Sequence, residues 1–132
     1  MNENIKQEQL LRQLLKNLCV FDELCVENDI PYSLHGGTLL GAIREHDFIP
    51  WDDDADVSMT RANFKRLEAL LNHSQSNYHI RGNIKKQFCE KEKPHVWVDI
   101  FVCDYISEQP VFRKIKQLLL TMLDIMYRDQ EA

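Results

Sequence analysis

Residues 34–59 read LHGGTLLGAIREHDFIPWDDDADVSM, and they carry the clearest structural and chemical signals in the chain. A glycine pair opens the stretch before a short helical pattern, a proline-containing turn follows, and a strand-like segment ends it. The turn and strand carry four aspartates within five residues, namely Asp52, Asp53, Asp54 and Asp56. Carboxylates this close repel one another unless a positive charge lies among them, and hard divalent cations prefer carboxylate oxygens. The stretch therefore predicts a metal site.

The spacing of these aspartates predicts which of them act together. Side chains alternate between faces in an extended segment, so Asp54 and Asp56 should point the same way, with Asp52 beside them if the strand begins early. Asp53 should then point away. The glycine pair Gly36-Gly37 before a helix lets a phosphate approach the N–H groups at the helix start. Metal carboxylates beside a phosphate cradle favour phosphoryl or nucleotidyl transfer.

The acidic cluster has three other interpretations. It could be a solvated acidic turn. Its first, third and fifth positions also fit an EF-hand loop, but Val57 stands where that loop needs glycine and Asn63 where it needs a bidentate glutamate. The Asp-Asp-x-x-Asp motif of prenyl-diphosphate enzymes requires a helix, and Pro50 followed by a strand-like segment argues against one. Metal binding at a strand is the interpretation we favour.

The stretch resembles the signature of the LicD/fukutin-related family, part of the nucleotidyltransferase superfamily. The matching residues are Gly36, Gly37, Thr38, Leu39, Leu40, Gly41, Arg44, Phe48, Ile49, Pro50, Trp51, Asp52, Asp53, Asp54, Asp56 and Met59. Residues 98–101, followed by Asp104, resemble the family's later aspartate-bearing strand, although Val102 replaces the usual proline. Ala55 also replaces a larger aliphatic residue, and His46-Asp47 replaces a pair that usually ends in glycine.

The resemblance implies an α/β (α+β) nucleotidyltransferase-like fold, a small mixed sheet flanked by helices. It implies a metal-dependent phosphotransferase that moves a phosphorylated alcohol, such as phosphocholine, from a CDP-activated donor to a hydroxyl of a cell-surface glycan of the lipopolysaccharide or teichoic acid type. Asp54 and Asp56 would hold Mg²⁺ or Mn²⁺ on the donor diphosphate. Asp99 would complete the metal site or accept the proton of the acceptor hydroxyl, with Asp104 as the alternative. Asp52 would orient the site or ligate through water.

The resemblance also assigns phosphate contacts. Gly36, Gly37 and Thr38 would cradle phosphate, and Arg44 would neutralise developing charge. Each has a simpler alternative: the glycines could form only a tight turn, Thr38 could cap the helix, and Arg44 could pair with Glu45 or another nearby acid. Two other functions stay open, a non-catalytic or truncated nucleotide- or metal-binding module, and a nucleotidyltransferase that transfers NMP.

The composition of the chain limits the classes of protein and of partner that remain possible. The 132 residues are 44% hydrophobic and 28% charged, which is typical of one globular domain spanning 1–132. A formal net charge of −5 argues against nucleic-acid binding. No C-x-x-C pair occurs among the four cysteines, so we expect reduced thiols and no structural zinc. Because no targeting or transmembrane segment is visible, we expect a cytoplasmic protein, with a peripheral position at the inner membrane face left open.

Periodicity predicts the order of the elements. Helices are predicted over 5–28, 39–45, 61–71 and 112–127, strands over 32–35, 56–59, 78–81 and 96–102, and residues 85–93 are ambiguous. The last helix reads as apolar around most of its circumference, and such a helix is normally buried on several sides. We therefore expect that the chain lacks the C-terminal part of the family's domain, and that it self-associates through 112–127.

Overall fold

The computed structural model describes residues 3–105 and 108–131, and it describes side chains as far as residue 126. The elements, in chain order, are α1 Glu3–Glu27, β1 Ser33–Leu34, α2 Gly36–Arg44, β2 Ala55–Thr60, α3 Arg61–His73, β3 Tyr78–Arg81, β4 Lys86–Glu90, β5 Trp97–Cys103 and α4 Pro110–Glu131. None of the described helices is long and apolar enough to cross a membrane.

The strands form one mixed five-stranded sheet in the order β1-β2-β5-β4-β3. Strands β2 and β5 run parallel at its centre, and the other neighbouring pairs are antiparallel. The parallel connection includes α3, as expected for strands that need a long crossover. The predicted α/β class, a small mixed sheet flanked by helices, is confirmed.

The hydrophobic core lies on the face of the sheet covered by α1 and α3. Strand β2 sends Ala55, Val57 and Met59 into this core, and β5 sends Val98 and Ile100. The alternation of a strand then puts the intervening residues on the opposite face, which the long helices leave open. The sheet therefore presents one set of polar side chains away from the core.

Helix α1 packs on the sheet through a stripe at helical spacing, Leu14, Asn17, Phe21 and Cys25. Phe21 meets Phe88 edge-to-face with ring centroids 5.3 Å apart. The fully buried Asn17 donates to the carbonyl oxygen of Val96 at 3.0 Å and accepts from Gln13, so its amide group is paired inside the core. This packing holds the segment that leads into β5.

The predicted elements are present with ends that differ by up to four residues, and two differences have a clear physical reason. Strand β4 lies in the segment left ambiguous, where charged residues mask its alternation. Helix α2 begins at Gly36 rather than at Leu39, because Gly36 takes a positive φ of 55° that turns the chain directly from β1 into the helix. Thr38 is consequently inside the helix, so the interpretation of Thr38 as its cap is wrong.

Helix α4 is exposed in the described part of the chain. The large apolar side chains from Val111 to Met126 keep between 47% and 67% of their surface exposed. At 100° per residue they occupy one broad face, apart from Leu120, and Arg113, Gln117 and Thr121 lie opposite. The expectation of a helix apolar around most of its circumference is therefore corrected to an amphipathic one. The side chain of Tyr127, part of that expectation, lies outside the described residues.

Candidate functional site

Two carboxylates meet on the open face of the sheet. Asp56 of β2 and Asp99 of β5 are register partners on adjacent parallel strands, so their side chains emerge side by side. Burial raises the pKa of Asp56, and the nearby charge of Asp99 raises it further. Burial also raises the pKa of Asp99, against the hydrogen bond from Trp97 and the charge of Lys85. The fold thus brings together two predicted site residues that lie 43 positions apart in the sequence.

A second group of carboxylates precedes β2. One oxygen from each of Asp52, Asp53 and Asp54 lies within 4.8 Å of the others. The pKa of Asp54 is raised to about 7, first by a hydrogen bond with Asp52, then by burial, and then by the charges of Asp56 and its two neighbours. Because both Asp52 and Asp56 raise the pKa of Asp54, Asp54 lies between this group and the Asp56–Asp99 pair.

The position of Asp53 differs from the expected alternation. Strand β2 begins only at Ala55. The turn at Pro50 and Trp51 is closed by the N–H of Asp52, which donates to the carbonyl oxygen of Ile49 at 2.9 Å, and residues 52–54 between this turn and β2 are neither helix nor strand. The N–H of Asp53 donates to Oδ1 of Asp52 at 3.1 Å. The regular two-residue alternation holds only within a strand, and Asp53, outside β2, lies with its neighbours instead of pointing away.

The glycine turn lies against the carboxylates. A Cβ built on Gly36 would come 3.5 Å from Oδ2 of Asp56, and one on Gly37 would come 2.6 Å from Oδ2 of Asp52. The first N–H groups of α2 therefore begin beside the acidic cluster. A phosphate can bind at these N–H groups only with a cation between it and the carboxylates, because like charges repel.

Thr38 has a structural contact in this turn. It is 4% exposed, and its Oγ1 accepts the N–H of Asp56 at 2.8 Å. The N–H of His35 donates to the carbonyl oxygen of the same Asp56 at 2.9 Å. These two bonds fix the backbone of Asp56 between β1 and α2, so Thr38 holds a carboxylate-bearing residue rather than presenting its hydroxyl to solvent.

Arg44 is not brought to the aspartates. It ends α2, about 12 Å along the helix from Gly36. Its Nε donates to Oε1 of Glu45 at 3.0 Å. The structure therefore shows the simpler pairing for Arg44 and not a position beside the carboxylates.

Asp104 is also separate from the site. Arg61 binds both of its oxygens, at 2.5 and 2.7 Å, and lowers its pKa. Asp104 follows Asp99 by five residues of extended chain, which is about 16 Å along the chain. Of the two candidates for the third carboxylate, only Asp99 lies beside Asp56.

Two neighbours of the site were not predicted to belong to it. The indole Nε1 of Trp97 donates to Oδ1 of Asp99 at 3.2 Å. The ring of His35 stacks on that of Phe101 with centroids 4.5 Å apart, and its charge lowers the pKa of Asp56. The sequence could have predicted the position of Trp97, because Trp97 and Asp99 are two residues apart in one strand and therefore share a face.

The residues fit a hard divalent cation. The candidate ligands Asp52, Asp54, Asp56 and Asp99 supply only carboxylate oxygens, which is the donor set that Mg²⁺ and Mn²⁺ accept. Burial contributes to a raised pKa for Asp54, Asp56 and Asp99, and nearby carboxylates raise the pKa of Asp54 and Asp56 further, so a cation would relieve an unfavourable arrangement. Among the described residues, Asp52, Asp53 and Asp54 have carboxylate oxygens close enough together for one ion, and Asp56 and Asp99 follow on the adjacent strands β2 and β5.

Comparison with known proteins matches residues 29–117 to the family model described as LicD/FKTN/FKRP, nucleotidyltransferase domain. The chain is 34% identical to the lipopolysaccharide cholinephosphotransferase LicD of Haemophilus influenzae, over 80% of this chain and 46% of that protein. It is also 30% identical to an uncharacterised protein of Rickettsia typhi, over 81% of this chain and 38% of the relative. An uncharacterised protein of Rickettsia prowazekii is 33% identical, over 74% and 34%. The chain thus spans less than half the length of these curated relatives.

Proposed function

The chain belongs to the LicD/FKTN/FKRP nucleotidyltransferase family, and on this premise we propose that it serves in the metal-dependent transfer of a phosphorylated alcohol from a CDP-activated donor to a hydroxyl of a cell-surface glycan. The Haemophilus influenzae relative, named as a lipopolysaccharide cholinephosphotransferase, supports phosphocholine as the group and lipopolysaccharide as the acceptor class. The observation that carries the proposal is the Asp56–Asp99 pair beside the start of α2.

Each residue of the site has a task in this proposal. Asp54, Asp56 and Asp99 hold Mg²⁺ or Mn²⁺, and Asp52 ligates through water or orients the others. The bound cation supplies charge neutralisation on the donor diphosphate. The N–H groups that follow Gly36 and Gly37 bind a non-bridging phosphate oxygen. Arg44 has no task here, because its guanidinium pairs with Glu45 at the far end of α2.

The reaction itself is an exchange of phosphate esters. The acceptor hydroxyl forms a new O–P bond with the phosphorus that carries the alcohol, the bond from that phosphorus to the CMP oxygen breaks, and CMP leaves. The hydroxyl proton must go to a base near the acceptor, and Asp99 is the candidate for that base in the alternative in which it does not ligate the cation. The proposed location is cytoplasmic, at a membrane face where a lipid-linked glycan is accessible.

Two other functions use the same site. An NMP-transferring enzyme would hold the metal alike and release pyrophosphate instead of CMP. A non-catalytic donor-binding module is the other alternative, and the exposed apolar face of α4 is the observation in its favour. This module would bind the donor and release neither product.

The experiment is calorimetry with CDP-choline, CDP-glycerol and CDP-ribitol, with and without Mg²⁺, followed by analysis of the product released in the presence of an acceptor glycan. We expect metal-dependent binding of at least one donor and release of CMP. Asp104→Asn, one residue beyond the end of β5, is the matched control and should bind the donor as the wild type does. If the affinity for every cytidine nucleotide were the same with and without Mg²⁺, the result would contradict the proposal.

A further inference from the structure

We propose that Trp97 is a positioning residue for Asp99: its indole N–H fixes one oxygen of this carboxylate and leaves the other for a divalent cation. The inference rests on the proposed function only for the identity of the ligand. The contact itself stands on the geometry of β5, where Trp97 and Asp99 share a face two residues apart and Nε1 donates to Oδ1 at 3.2 Å.

A neutral donor suits this position. A lysine or arginine bound to Asp99 would neutralise the carboxylate and compete with the cation, as Arg61 does for Asp104. The indole N–H can only donate, and it carries no net charge, so it orients the carboxylate without taking the place of a metal. Residues that orient metal ligands in this way tune both affinity and geometry.

Trp97 is itself held in place from the neighbouring strands. The guanidinium carbon of Arg81 lies 5.5 Å from the centroid of the indole ring, a cation–π contact. Arg81 is anchored in turn, because Nε donates to Oε1 of Gln87 at 2.9 Å and Nη2 to the carbonyl oxygen of Pro94 at 2.5 Å. The guanidinium therefore fixes the ring and is already bound to other acceptors.

The same residues form a row across the sheet. Register places Arg81 beside Gln87, Gln87 beside Asp99, and Asp99 beside Asp56, on strands β3, β4, β5 and β2. The row runs from the guanidinium of Arg81 to the carboxylates of Asp99 and Asp56. The indole of Trp97 contacts both Arg81 and Asp99. The antiparallel half of the sheet thereby orients a ligand that belongs to its parallel half.

The test compares Trp97→Phe, which removes the N–H and keeps an aromatic ring, with Trp51→Phe at the exposed tryptophan of the chain. We expect Trp97→Phe to weaken Mn²⁺ binding in the presence of CDP-choline by about tenfold, the lower end of the effect of losing such an orienting contact. Arg81→Met should weaken it less, and Trp51→Phe should leave it unchanged. Thermal melting of each variant checks that it folds.

A double-mutant cycle separates positioning from general packing. If Trp97 acts through Asp99, Trp97→Phe should add nothing to the loss of Mn²⁺ affinity already caused by Asp99→Asn. Unchanged Mn²⁺ affinity in folded Trp97→Phe, or equal losses with and without Asp99, would overturn the proposal.

A further measurement distinguishes this inference from the proposed function. The NMR resonance of the Trp97 indole N–H should shift in Asp99→Ala, whereas that of Trp51 should not. If the wild type binds neither Mn²⁺ nor donor, the proposed function fails, and the indole resonance still decides the contact. An indole resonance of Trp97 that is unaffected by Asp99→Ala would reject the positioning role on its own.

Discussion

The aspartates of the site differ in what surrounds each of them. Asp56 has its backbone fixed from both sides and a carboxylate beside it, Asp99 has an indole donor, and Asp54 shares a hydrogen bond with Asp52. Asp53 lies beside Asp52 and Asp54 in the segment that precedes β2. Substitutions at these positions should therefore have separable effects on metal binding and on folding.

The raised pKa of Asp54 predicts how stability depends on pH. Between the ordinary value of 3.8 and about 7, the unfolded chain loses a proton that the folded chain retains. Stability from this group is therefore fully present below the ordinary pKa and is lost as the pH rises to the folded pKa. In metal-free thermal melts, the melting temperature of the wild type should fall relative to that of Asp54→Asn across this window.

Saturating Mg²⁺ should remove the difference in slope, because a cation favours the ionised carboxylate. Parallel pH curves for the wild type and Asp54→Asn without metal would show that Asp54 is not perturbed in the folded chain. Asp104→Asn should change the curve in the opposite sense, since the pKa of Asp104 is lowered.

Asp56→Asn should abolish metal-dependent donor binding while the fold survives, since the amide keeps the size of the side chain and its backbone bonds stay in place. Asp53→Asn should weaken metal binding only severalfold, because its charge is the last of the contributions to the pKa of Asp54. Calorimetry with Mg²⁺ and CDP-choline measures both. An Asp53→Asn loss as large as that of Asp56→Asn would move a ligand role to Asp53.

At the scale of elements, the close contact between α2 and the loop before β2 places the acidic cluster. A Cβ on Gly41 would lie 2.6 Å from the carbonyl oxygen of Asp47 and 3.0 Å from the backbone nitrogen of Ile49. Both are backbone atoms and cannot move without shifting the loop. Gly37 meets only the end of the Asp52 side chain, which can rotate away.

Gly41→Ala should therefore destabilise the fold by roughly 1–3 kcal/mol and also weaken metal binding. Gly37→Ala should affect metal binding with a much smaller effect on stability. Urea unfolding and Mg²⁺ titration of the two variants compare the effects. Equal stability of Gly41→Ala and the wild type would mean that the loop does not depend on this contact.

The sequence predicted the elements well where periodicity is regular, and less well where a turn or charge interrupts it. The alternation rule could not place Asp53, because the strand begins only at Ala55. Strand β4 was hidden by the charged residues within and around it, between 85 and 93. The pairing of Asp56 with Asp99 depends on a parallel register that no local pattern reveals, and the family resemblance is what assigned Asp99 to the same site as Asp56.

At the scale of the whole molecule, the broad apolar face of α4 stays exposed, and such faces mark association surfaces. We expect the chain to self-associate through this face and to bind donor far better than it turns over glycan acceptor. Light scattering over a concentration series should show association that Leu119→Lys and Met122→Lys reduce. Thr121→Lys, on the polar side of the same helix, is the matched control and should not. A monomer at every concentration with full transferase activity would contradict this expectation.

The central claim is that Asp56 and Asp99 together hold a divalent cation on the open face of the sheet. Its most direct test is the Mn²⁺ affinity of the wild type, Asp99→Asn and Asp104→Asn, measured by calorimetry in the presence of CDP-choline. We predict tight binding by the wild type and no change in Asp104→Asn. In Asp99→Asn we predict at least a tenfold loss, because removing a direct ligand should cost no less than the roughly tenfold lower end for losing a residue that only orients a ligand. Equal Mn²⁺ affinity in all three proteins would contradict the claim.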